Sequence, residues 1–511
     1  MAANGKPTVW PGKRLIVCCD GTWQNGDNGY SEPSILNPKG ELQVPSNVTR
    51  IARLFKLTCS DGKQQIISYE SGVGTGSNML DTITGGAFGL GLSERVRESY
   101  SFVCSNYVDG DEIFLVGFSR GAFTVRTVAG MIGDLGLLTR EGLEHFYAIF
   151  RDLQHWQDDD YKDPFPNVPF PDKPKGPNAA DEYRARLEKL GYTRVTQKSG
   201  ELIKIKAVCV WDTVGSLGVP RWHDTNLSDR IEHAFHALAL DETRGPYSPA
   251  VWERLPANKH TTDLRQVWFP GGHGNCGGGS EDQGLTNLTL TWMMDQMASI
   301  GVEFDTPSLD RIFNRTAGYY GQHDSLLDRM RGKKWAVDAI YDKNKPIRPW
   351  GLATINQTMN LLYRFTGLVD RTPGMYRQTN PKTGREDGNF LVDTNERIHS
   401  SVRVRLACKG LGIDDRAVWT APALSSWKLK TTDTKYEDPV PRCPSWDPCE
   451  RQDDSGEGEN ERWIWEYAGS ESSAPLERIL VEEPLGPYER YCLAKTGGEP
   501  NVFAYASKKS I

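Results

Sequence analysis

Residues 113–123 read Ile113-Phe114-Leu115-Val116-Gly117-Phe118-Ser119-Arg120-Gly121-Ala122-Phe123. Four apolar residues lead into a Gly-x-Ser-x-Gly sequence, and a helix-compatible stretch from Ala122 to Leu138 follows. Strand, sharp turn and helix thus come in the order a nucleophile elbow needs. Gly117 and Gly121 would let the backbone turn tightly and push the Ser119 hydroxyl into the open. The competing reading is an ordinary strand-to-helix turn that happens to hold Ser and Gly. The flanking context favours Ser119 as the nucleophile of a serine hydrolase.

Working outward, five strand-like runs recur, Arg14–Cys19, Gln65–Tyr69, Glu112–Val116, Ile203–Val210 and Leu264–Phe269, most of them leading into a Gly, Asp or His at or shortly after the end. Continuous apolar runs of this length predict strands buried on both faces, as in a parallel sheet. Helices are expected between them, from Ser46 or Asn47 through Leu57, over Ser93–Tyr107, over Leu227–Leu240 and over Leu285–Ile300. Alternating β and α elements predict an α/β fold, a doubly wound, mostly parallel sheet of the α/β-hydrolase kind. The 511 residues allow one large catalytic domain with insertions, or two domains.

The expected plan is a tail over 1–12 and a catalytic domain over 13–300. A proline-rich insertion at about 154–200 interrupts it, densest and loosest over Gln154–Arg184. A lid-like helical and loop region follows over 301–430, with Ser400–Leu406 as a short strand. Over 431–511 a loose acidic linker precedes a small β appendage at Arg462–Ala506.

Net charge is −7, from 60 basic and 67 acidic residues, and no basic stripe stands out, so nucleic acid is not an expected partner. The N-terminus lacks the basic-then-apolar pattern of a secretory signal, and no apolar run nears the roughly 20 residues that span a bilayer. The ten cysteines are dispersed, several in expected strands, which reads as reduced thiols in a cytoplasmic enzyme.

A serine nucleophile needs a base, and the base an orienting carboxylate. Asp212 ends the strand Ile205–Val210, and His273 follows the strand Gln266–Phe269 on a glycine-rich loop. The order Ser119, Asp212, His273 is the one α/β-hydrolases use, with gaps of 93 and 61 residues. Asp212 could instead merely cap its turn. Rivals to His273 are His236, expected on a helix, His323, and His399, the serious alternative. His273-x-x-Cys276 has no second His/Cys pair at zinc-like spacing, so no metal is expected. Gly72-Val73-Gly74-Thr75-Gly76 lacks the dinucleotide spacing and its downstream acid, so no organic cofactor is expected either. The oxyanion hole falls to the N–H of Arg120 with that of Gly21 or Thr22, and Asp20 would hold their loop.

Several stretches resemble one family, the type VI secretion phospholipase effector-like α/β-hydrolase domain. They are CDGTW (19–23), PSNVTRIARLF (45–55), GVGTG (72–76), GFSRGAF (117–123), VWDTVGSLG (210–218), HALALDE (236–242), WFPGGHGNCGGG (268–279) and GLTNLTLTWM (284–293). RTPGMY (371–376) and IHSSVRVR (398–405) are fainter echoes. The resemblance implies Ser119, Asp212 and His273 as nucleophile, acid and base, and hydrolysis of phospholipid esters. One departure stands out: the family's histidine motif usually reads H-S-D-V-G-G-G, and here Asn275 replaces its aspartate.

The expected function is hydrolysis of carboxylic esters, with acyl lipids or phospholipids as leading substrates and transient contact with a membrane surface. Trp350, Trp463 and Trp465 could serve that contact, or simply pack in the core. The alternatives are a non-catalytic binding protein on a hydrolase scaffold and another acyl-transfer enzyme: an amidase, thioesterase or acyltransferase.

Overall fold

The computed structural model describes residues 11–21, 30–31, 41–42, 44–72, 87–158, 160–176, 178–214, 227–323, 348–356, 368–379, 386–434, 462–496 and 502–507. Its centre is a ten-stranded sheet. In chain order its strands are β1 (Lys13–Cys19), β2 (Gln64–Glu70), β3 (Glu112–Phe118), β4 (Ile205–Trp211), β5 (Ile231–Ala239), β6 (Asp263–Phe269), β7 (Glu396–His399), β8 (Trp427–Thr432), β9 (Arg462–Tyr467) and β10 (Ile479–Glu483). Across the sheet they run β8-β9-β10-β7-β6-β5-β4-β3-β1-β2. Every pairing from β10 to β2 is parallel; β9 alone runs against the rest.

Period-two alternation explains why these runs need a layer on each side. Ile16 and Cys18 of β1 with Phe114 and Val116 of β3 face one core, shared with helices α1 (Asn47–Ala52) and α5 (Gly284–Ala298). Leu15, Val17, Ile113 and Leu115 face the other, shared with α2 (Ala87–Asn106) and α3 (Arg120–Leu135). Between α3 and α5 lies α4 (His273–Gly277); α6 (Ser400–Ala407) and α7 (Pro487–Lys495) come later. The result is a mostly parallel α/β sheet with helices on both faces.

Several local expectations need correction. The stretch Leu227–Leu240 is not a helix; most of it is β5, paired with β4 on one side and β6 on the other. Its apolar run carries no periodicity that separates a buried helix from a central strand, and pairing on both edges decides the matter. Ser400–Leu406 is helical rather than extended, because the His399 side chain caps it by accepting from the Ser401 N–H. The helix starting after Ser46 stops at Ala52, since the chain turns there so that Lys56 N–H can bond the Glu303 carbonyl. Arg462–Ala506 forms no separate appendage: β9 and β10 extend the main sheet. The insertion is pinned rather than loose, with Lys173 Nζ on the Asp152 and Asp163 carboxylates and the Phe165 carbonyl, and Phe170 buried against Tyr183. Trp350 and Trp465 are core residues, and Arg403 stacks on Trp463. Eight described cysteines are buried free thiols. Among the described residues no helix is long and apolar enough to cross a membrane.

The chain leaves β1 toward β2 on one side and comes back to β3 on the other. Connections diverging this way open a crevice at the carboxyl ends of β1 and β3, where ligands bind in such sheets. Asp20 and Ser119 are the residues that immediately follow those two strands.

Candidate active site

Ser119 joins β3 to α3 with φ 57° and ψ −120°, a strained conformation for a residue with a side chain. The two flanking glycines make the turn possible by close approach. A Cβ on Gly117 would lie 2.6 Å from the Gly121 carbonyl, and one on Gly121 would collide with the carbonyl of Cys19 at the end of β1.

Asp212 follows β4, also at positive φ (37°), and is wholly buried. His273 opens α4 after β6. Its Nδ1 lies 2.6 Å from Asp212 Oδ2, and its Nε2 lies 2.8 Å from Ser119 Oγ. A neutral ring donating from Nδ1 to the carboxylate leaves Nε2 to accept the serine proton. The ring sits on Phe118 (centroids 4.7 Å apart) and edge-on to Tyr247. Gly277 permits the first contact, since a Cβ there would run into the Phe118 ring.

Asp212 accepts more than the histidine. The Ala239 N–H donates to Oδ1, and the buried Arg371 guanidinium reaches both oxygens at 3.3 Å. Burial alone would push the Asp212 carboxyl up; Arg371 and His273 outweigh it and hold it well below the usual carboxylate range. Glu242, buried and forked to Arg244, accepts from the His273 N–H at 3.3 Å. Burial also opposes its ionisation, and Arg244 again wins, so the carboxyl is lowered.

Two of the rival histidines, His236 and His399, have partners elsewhere. His236 lies on β5, its Nε2 accepting from the Thr213 N–H and its Nδ1 facing Gln266 Oε1, each at 3.2 Å. Burial pushes its pKa down to about 3. His399 is fully buried between Ser401 Oγ (2.7 Å) and Glu489 Oε1 (2.6 Å), remote in contacts from Ser119. His323 ends the helix Thr306–His323.

Asp20 holds its loop as expected and more. Its Oδ2 accepts from Ser46, Thr49 and Tyr69 hydroxyls, and its Oδ1 from the Gly21 N–H at 2.7 Å. Burial raises its pKa against these four donors. Gly21 abuts Ser119, since a Cβ on it would stand 3.4 Å from the serine Cβ, but its N–H is spent on Asp20. Arg120 is the first residue of α3. Thr22 and residues 73–76 lie outside the described residues. Asn275, fully buried, ties the histidine loop together: Oδ1 accepts from the Gly272 and Asn356 N–H groups and Nδ2 donates to the Thr354 carbonyl.

The residue that sequence reasoning missed is Arg371. It stands 159 positions from Asp212, and no spacing rule links them. Its one signal is its place at the head of the RTPGMY stretch.

A family model described as T6SS, phospholipase effector Tle1-like, catalytic domain matches residues 13–296. The chain belongs to the Tle1-like phospholipase effector catalytic-domain family. Ser119, Asp212 and His273 lie inside the matched residues; Arg371 lies outside. A Saccharomyces cerevisiae protein, the uncharacterized YEL023C, is 27% identical over 267 residues, covering 48% of this chain and 33% of that protein. The chain thus aligns with about a third of that relative's length. An uncharacterized Pseudomonas aeruginosa protein of known structure is 16% identical, with 58% of this chain and 47% of that one covered and a TM-score of 0.33. The Tle1 effector bound to the VgrG spike of the Type 6 secretion system is 18% identical, with 54% and 52% covered and a TM-score of 0.27.

Proposed function

We propose that this Tle1-like domain is a serine hydrolase of carboxylic esters, with acyl lipids or phospholipids as substrates. The observation that carries the reading is the continuous hydrogen-bonded line from Ser119 Oγ through His273 to Asp212. His273 Nε2 takes the serine proton as Oγ attacks the ester carbonyl carbon, and Asp212 stabilises the imidazolium. The tetrahedral intermediate collapses, the alcohol leaves with the proton from His273, and an acyl-enzyme remains. Water then attacks the acyl carbon, giving its proton to His273, and the carboxylic acid departs as Ser119 recovers its proton.

The oxyanion would be met by the Arg120 N–H, with Thr22 preferred over Gly21 as second donor because the Gly21 N–H already serves Asp20. The sheet order and the switch-point crevice support an α/β-hydrolase assignment. We assign Ser119, Asp212 and His273 to a catalytic domain whose sheet continues past residue 300 through β7 to β10, which leaves the role of a lid to the parts of 301–430 outside that sheet. Thr354, Asn356 and Arg371 brace the site from beyond residue 300, through Asn275 and Asp212. The intact Ser–His hydrogen bond counts against a non-catalytic binding protein.

Labelling with a fluorophosphonate tests the proposal. Wild type should label and Ser119→Ala should not, although both fold, and a panel of lipid and soluble esters then ranks substrates. Labelling or turnover that survives in Ser119→Ala would sink the mechanism.

A further inference from the structure

Asp212 presents an electrostatic difficulty that the three-residue line does not solve. For His273 to accept a proton its ring must start neutral, yet the Asp212 carboxylate is wholly buried. A buried carboxylate facing only a neutral imidazole would take up a proton rather than stay charged. The compensating charge is on Arg371. Its Nη1 faces Asp212 Oδ1 and its Nη2 faces Oδ2, both at 3.3 Å, while Nη2 also donates to the Tyr247 carbonyl at 2.6 Å. The third contact fixes the guanidinium plane, and the fork holds both carboxylate oxygens in register. With the Ala239 N–H on Oδ1 and His273 Nδ1 on Oδ2, the carboxylate has one rotational setting.

We propose that Arg371 is a positioning residue for the hydrolytic reaction, supplying the counter-charge and the fork that keep Asp212 aimed at His273. The inference rests on the serine-hydrolase reading and extends it: the triad is electrically complete only with an arginine from beyond the matched residues 13–296. Arg371 does not touch the reacting atoms. It acts through Asp212, so its effect should appear as a changed pH window as well as a changed rate. The charged and titratable groups facing the Asp212–His273 pair are Arg371, Glu242, Arg244 and Tyr247 on one side, and His236 and Cys276 on the other. Glu242 and Arg244 neutralise each other, His236 is neutral, and burial raises the Cys276 thiol. Arg371 is thus the cation whose removal changes the local balance.

The experiment is the second-order rate of fluorophosphonate labelling against pH, with the full chain, for wild type, Arg371→Gln and Arg371→Lys. Without the guanidinium charge, the Asp212–His273 pair holds its proton to higher pH. The acid limb for Arg371→Gln should therefore move upward, and its plateau rate should fall on the order of 10²-fold through lost aim. Arg371→Lys keeps the charge and loses the fork, so its rate should fall while its limb stays at the wild-type position. An unmoved limb in Arg371→Gln overturns the proposal, whatever its rate, because a merely structural arginine would lower the rate or the stability without moving the limb. If Arg371→Gln does not fold, Arg371→Lys decides, and a wild-type rate in it overturns the role of the fork. Wild type that folds and never labels overturns the hydrolase reading itself, an outcome distinct from the others, and this proposal falls with it.

Discussion

Gly121 lies directly against the carbonyl of Cys19, so close that a Cβ on Gly121 would occupy the space of that oxygen. This contact joins the elbow after β3 to the end of β1, and it sets the distance between Ser119 and the Asp20–Gly21 loop. Neither backbone can yield easily, since β1 and β3 are paired along their lengths. Gly121→Ala should therefore destabilise the protein by about 2–4 kcal/mol, read as a lower urea midpoint at unchanged m-value. An unshifted midpoint would show that the elbow can relax.

Asp212→Asn keeps the shape of the acid but can present an N–H to His273 Nδ1 and strands the Arg371 guanidinium. Turnover or labelling should fall on the order of 10³- to 10⁴-fold, with the α/β fold retained by circular dichroism. A loss under tenfold would return Asp212 to the role of a turn cap.

Labelling should separate His273 from His399. His273→Ala should end labelling. His399→Gln should label at a rate within several-fold of wild type while lowering stability by about 2–4 kcal/mol, since it disturbs the buried Ser401–His399–Glu489 line. Labelling lost in His399→Gln with the fold intact would reverse the choice of base.

Asn275→Asp restores the residue usual in the family's histidine motif, and here it should harm. The amide donates to the Thr354 carbonyl through Nδ2, and an aspartate would set an oxygen against that oxygen. The expected cost is about 1–3 kcal/mol, measured by urea unfolding. Equal stability would mean that the loop rearranges to pair the new carboxylate.

His236 gives a pH prediction. Its folded value, about 3, lies below the ordinary 6.5, so between those values the unfolded chain binds a proton that the folded chain does not. The contribution to stability is complete above pH 6.5 and is lost as pH falls toward 3, at about 1.4 kcal/mol per pH unit. Going from pH 7 to 5 should cost wild type about 2 kcal/mol more than it costs His236→Gln. Parallel stability–pH curves for the two would refute the assignment.

What the sequence alone determined is local in origin. Continuous apolar runs marked β1 to β4 and β6 to within a few residues, and the Gly-x-Ser-x-Gly turn between β3 and α3 was readable from its flanks. Asp212 and His273 were legible as the residues after two strand ends, because a parallel sheet gathers such positions at one edge. Where a run had no decisive period, sequence reasoning erred. Ile231–Ala239 and Ser400–Ala407 took their states from edge pairing and from a cap by His399. Only the tertiary structure decided that β9 and β10 complete the sheet, that Asn275 clasps Thr354 and Asn356, and that Arg371 meets Asp212. Those relations join residues far apart in the chain. They arise because buried polar groups must find partners wherever packing brings them, and no spacing rule records that requirement.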